Sequence, residues 1–155
     1  MCKDNPDRLP LAVADEERLA RAIFHPYHIS RSGKLKPAAF KAPAGSPDVS
    51  VNRLRALEGS ACKRHAKEIR SPGAFQGFAV IAAQAVRRCG SDVIDSRAYY
   101  WGHADIVHDV VLERGEPAPA EFNSRLRQMV SAARFFPDPE PGTDQWAGED
   151  LSQES

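Results

Sequence analysis

The sequence predicts a single α+β domain in two layers, a small and mainly antiparallel sheet of about four strands packed against a long C-terminal helix and one or two shorter helices. Three observations carry this expectation. From residue 120 to 136 the apolar residues Phe122, Leu126, Met129, Val130 and Ala133 recur at helical spacing and form one stripe. Short runs at 49–54, 77–82, 93–95 and 103–107 are rich in β-branched residues or alternate in polarity, as strands do. A chain of 155 residues with 42% hydrophobic and 27% charged residues has the size and composition of one folded domain. The layered arrangement follows because a striped helix and a one-sided sheet must cover each other.

In chain order, residues 1–13 are polar and punctuated by proline, and are expected to be a flexible N-terminal segment. The domain proper spans 14–136. A helix is predicted from Asp15, which can cap it, with two glutamates in its first turn and Leu19 and Ile23 on one face. Pro26 stops it near Phe24. Ser32-Gly33 is a turn signal for a hairpin whose second arm is limited by Pro37. Residues 42–48 form a loop, and 49–54 a short alternating strand.

Ser60 can cap a helix reaching about Arg70, and Ser71-Pro72-Gly73 breaks the chain. The most apolar stretch, 75–86, divides into a buried strand over 77–82 and a short helix to Arg88 with Gly90 as its left-handed terminator. Val93 begins another strand. A turn at Arg114-Gly115-Glu116 leads to the 120–136 helix, with Pro119 at its first turn. Residues 137–155 carry six carboxylates and no basic side chain, the composition of an acidic disordered tail.

The net charge of zero conceals an asymmetry: from Arg31 to Arg70 there are ten basic residues against three acidic. Lys63, Lys67 and Arg70 share a helix face, and with Arg64 and the hairpin lysines they offer an anion-binding surface. The acidic tail is expected to be able to shield it. No apolar run is long enough for a membrane span, the N-terminus lacks the apolar core of a signal peptide, and the three cysteines are odd in number and widely spaced. A cytoplasmic protein with reduced thiols, with no membrane contact and no implied cofactor, is the expectation.

Chemistry concentrates in YYWGHADIVHD, residues 99–109. Four β-branched residues in the six from Ile106 to Val111 favour a strand, which puts His103 and Asp105 on one face and His108 on the other. A same-face His-x-Asp pair can act as base and orienter, making His103 and Asp105 the catalytic candidates. If His25 or His28 closes on them, the set His25, His28, His103 and Asp105 becomes a metal candidate. Tyr99, Tyr100 and Trp101 offer a contact surface for a partner, because such rings give large area at low rotamer cost. The motifs H-E-x-x-H, G-x-S-x-G and the phosphate-binding G-x-x-x-x-G-K-[ST] are absent. The leading expectation is a non-catalytic interaction or accessory protein whose partner is another protein met through the aromatic loop. A metal-dependent or acid–base enzyme with a His/Asp site is the first alternative. A nucleic-acid binder using the basic 31–70 surface is the second.

Overall fold

The computed structural model describes residues 9–153. One antiparallel sheet runs through it. Its strands are β1 (Arg18–His25), β2 (Asp48–Arg53), β3 (Ala74–Ala82), β4 (Asp92–Asp95), β5 (His103–Val107) and β6 (Arg134–Pro137), in the order β4-β5-β2-β1-β3-β6. The helices are α1 (Gly59–Lys67), α2 (Ala83–Arg88) and α3 (Ala120–Ala132), with a 3-10 turn at Pro37–Phe40. The α+β class holds, but the sheet has six strands where about four were expected.

The two extra strands come from segments that read as helix. Leu19 and Ile23 are four residues apart, an even spacing that also puts them on one face of a strand. Ala20, Ala22 and Phe24, lying between and beyond them, are buried on the opposite face. RLARAIFH is thus a central strand buried on both sides, and the helix predicted from Asp15 does not form. Asp15 instead pairs with Arg87 at 2.7 Å. The last helix stops at Ala132 rather than near Phe136, because Ala133 is extended and β6 pairs with β3, Phe136 opposite Phe78. This pairing needs Gly77, whose φ is +142° and whose hypothetical Cβ would lie 2.1 Å from the Phe136 carbonyl oxygen.

Burial on both faces gives two cores and three layers in place of two. On one face Leu19, Ile23, Val51, Ile81 and Ile106 meet α2, the 3-10 turn and the α3 stripe of Phe122, Leu126 and Met129. On the other, Phe24, Phe78, Val80 and Phe136 meet Leu57, Cys62 and Ala66 at and before α1. The strand and helix expected over 77–88 are found, with Gly90 at φ +103°.

The C-terminal segment completes the second core. Residues 137–155, of which 154–155 lie outside the described residues, were expected to be a disordered tail, yet Leu151 is buried and Trp146 packs edge-on against Phe78, ring centroids 5.3 Å apart. Lys63 of α1 is fully buried. It pairs with Asp138 at 2.8 Å and donates to the carbonyl oxygens of Glu140 and Gln145. Composition misled here because backbone carbonyls, invisible in a charge count, do much of the holding. Ser60 does not cap α1; its hydroxyl accepts the Trp146 N–H instead.

Of the expected flexible segment 1–13, residues 1–8 lie outside the described residues. Leu9 and Val13 are buried, and the Pro10 carbonyl accepts from Arg53 at 2.8 Å. Arg53 is itself fully buried, gripped by both Glu17 oxygens and by Asp95. Cys62 and Cys89 form no disulfide among the described residues, and Cys2 lies outside them. Among the described residues, no helix is long and apolar enough to cross a membrane.

Candidate functional site

α1 and the C-terminal segment cover the β1–β3–β6 part of their sheet face and leave the β2–β5 part uncovered. A cleft of about 250 Å³ opens at that boundary. Ala20 and Ala22, two small side chains, leave room for it on β1. Asn52 of β2 and His103 of β5 are directly opposite in register, as are Ser50 and Asp105, so all four side chains share this face. His65 and Ile69 form one wall, and the turn carrying Tyr99 and Tyr100 forms the other.

The turn is anchored from both ends. The Tyr100 ring stacks on His65 with centroids 3.6 Å apart and planes 6° from parallel, and its hydroxyl donates to Asn52 Oδ1. Burial raises the Tyr100 phenol above its ordinary pKa, so it stays a donor. Gly102 has φ +87°, and a Cβ there would meet Leu57 Cγ at 2.5 Å; only glycine lets the chain turn into β5 at this spot.

His103 is the least satisfied group in the cleft. It is 4% exposed, its Nδ1 is hydrogen-bonded to the Ser96 hydroxyl, and its Nε2 is buried with no partner among the described residues. The Ser96 hydroxyl also lies close enough to the Asp105 carboxyl to lower its pKa. A Ser96 hydroxyl turned towards the Asp105 carboxylate accepts the Nδ1 proton, the tautomer that leaves Nε2 with its lone pair. Burial pulls His103 down to about 4, with His65 adding to the shift and Asp95 opposing it. Asp105 is pushed above the usual carboxylate range by burial and by Asp48, with Ser96 opposing.

The predicted site residues divide. β5 is a strand, and His103 and Asp105 share its face, with Ser96 bonded to His103 and near Asp105. His25 lies five residues along β1 from Ala20, which pairs with Asn52. That is about 16 Å at strand rise, and β2 lies between it and His103. His28 accepts the Phe24 N–H at Nδ1 and does not approach β5. Among the described residues no three His, Cys, Asp or Glu side chains are placed to hold a metal ion, so the proposed set of His25, His28, His103 and Asp105 does not assemble. His108 is buried on the other face, between Ser91 at 2.6 Å and the Phe40 carbonyl at 2.8 Å.

The expected contact surface is reduced to one ring. Tyr99 is 77% exposed, while Tyr100 is half-buried and Trp101 packs on the second core under Arg97. In the basic cluster, Lys63 is withdrawn into the interior and Lys67 faces Asp144 at 3.8 Å. Arg64, Lys67 and Arg70 remain exposed. Sequence reasoning missed Asn52, His65 and Ser96. Asn52 alone left a trace, as a polar residue at an alternating strand position.

No family model matches this chain, and neither a curated protein nor a solved structure resembles it significantly.

Proposed function

We propose that this chain is a non-catalytic binding protein that holds a small neutral molecule in the cleft between α1 and the Tyr99–Tyr100 turn. The observation that carries the reading is the buried, unpartnered Nε2 of His103 on the cleft wall. Leaving a buried polar atom unsatisfied costs about 1–3 kcal/mol. A ligand that donates a hydrogen bond to Nε2 recovers that cost, so the free protein is poised for one.

Binding is favoured over acid–base catalysis on two grounds. A base serves best when its pKa lies near the working pH, and His103 at about 4 is far below neutrality. Among the described residues no nucleophile lies in hydrogen-bond contact with Nε2, since the nearby serine occupies Nδ1. The anion-surface alternative loses Lys63, its most central cation.

The test is a fragment screen by amide and side-chain NMR on the full chain. At least one neutral fragment with an N–H or O–H donor is expected to shift His65, Tyr100 and His103 saturably. The same fragment should bind much more weakly to His103→Phe, which keeps a ring and removes the acceptor. A screen that moves none of these signals at millimolar concentration, or a variant that binds equally well, overturns the reading.

A further inference from the structure

The ligand class follows from the cross-strand pair Asn52–His103, and the inference rests on the cleft-binding reading above. The two residues face each other on β2 and β5, with Cβ atoms about 5 Å apart as in any directly opposed pair. Each is fixed in rotation by a neighbour. The Tyr100 hydroxyl occupies Asn52 Oδ1, so the amide presents its Nδ2 as a donor, and no described residue accepts from it. In the tautomer that donates Nδ1–H to Ser96, His103 has an acceptor at Nε2, which no described residue fills. A donor and an acceptor thus stand side by side at the cleft, the acceptor beneath the aromatic turn and reached when the exposed Tyr99 ring moves off His103. A flat molecule with a carbonyl next to an N–H satisfies both, its oxygen accepting from Asn52 and its N–H donating to His103.

Size, charge and surroundings narrow the class further. The volume of about 250 Å³ exceeds the ~150 Å³ that takes benzene and falls short of the ~300 Å³ where drug-sized pockets begin, which suits one polar ring. An anion finds little here. Arg21, the one cation among the described lining residues, carries its guanidinium on the other face of the sheet, where it donates to the Ala39 and Ser50 carbonyls, and Glu68 adds a negative charge to the wall. Tyr99, exposed and with its ring 4.8 Å from His103, is placed to swing over a bound ring and stack on it. We infer that the cleft takes a neutral single-ring cyclic amide or imide, of the pyrimidine-base type, read by Asn52 and His103 and covered by Tyr99.

The experiment titrates the labelled full chain with three probes of similar size: uracil, 1,3-dimethyluracil, whose N–H groups are blocked, and toluene. Uracil is expected to shift His65, Tyr100 and His103 saturably. Dimethyluracil and toluene should bind about ten-fold more weakly or worse, as loss of a buried hydrogen-bond partner implies. Asn52→Asp, which replaces the donor by an acceptor, should weaken uracil by a similar factor with the amide spectrum otherwise native. Because the probe comparison uses the unaltered chain, it decides the matter even if that variant does not fold. Equal affinity for all three probes overturns the edge recognition while leaving the cleft a binding site. Absence of any cleft shift with uracil overturns the ligand class, and the wider fragment screen then decides separately whether the cleft binds anything.

Discussion

His103 and His28 make acid sensitivity a residue-level property of this fold. Burial holds each near 4, with Arg21 also lowering His28. A histidine lowered on folding binds fewer protons in the native state than in the unfolded chain, where its pKa is about 6.5. Its contribution is therefore complete above pH 6.5 and is lost as the pH falls towards 4. For His103 the drop amounts to about 3 kcal/mol by linkage. Urea midpoints measured from pH 7.5 to 4 should fall most steeply between 6.5 and 4.5, and His103→Gln should flatten that slope by its share. An unchanged slope in the variant would mean that His103 is not held neutral by burial. Gly102 is the second residue-scale test. Gly102→Ala forces alanine to φ +87° against Leu57, so it should cost more than about 1 kcal/mol and shift the Tyr100 and His103 signals.

Among the elements, α3 is the main cover of the first core. Leu126 is 1% exposed within it, and Leu126→Ala should cost roughly 2–5 kcal/mol in urea unfolding. A loss below about 0.5 kcal/mol, the surface range, would show that α3 does not close this core. α1 plays the same part on the second face, but its hold on the C-terminal segment is polar. Lys63→Ala leaves Asp138 buried without its cation, a change that costs about 3–5 kcal/mol. It should also open residues 138–153 to limited proteolysis. The Lys67–Asp144 pair, exposed and at 3.8 Å, should contribute less than about 1 kcal/mol, and Lys67→Ala is the matched control.

For the whole molecule, the C-terminal segment is part of the second core as well as a neighbour of basic side chains. Cutting the chain after Pro137 removes Trp146 and Leu151 from Phe78 and Phe136. The truncated protein is expected to unfold at lower urea and to bind a fluorescent apolar dye. Shielding of the basic face predicts a different result, a rise in heparin affinity at low salt without loss of stability. Stability and heparin retention measured on the same truncated protein separate the two.

The sequence by itself determined the α+β class, the strand–helix division of 77–88, the strand at His103–Val107 and the α3 stripe. Each is written in local periodicity or in a turn glycine, and such signals need no partner to be read. Only the tertiary structure decided that RLARAIFH is a central strand, because a four-residue spacing suits helix and strand alike until both faces are seen to be covered. Only it decided that Arg134–Pro137 pairs with β3, that Lys63 is interior, and that residues 138–153 are packed. The cleft belongs wholly to that second kind. Asn52, His65, Ser96 and His103 come from four segments, and strand register, not sequence spacing, puts an amide donor beside an imidazole acceptor.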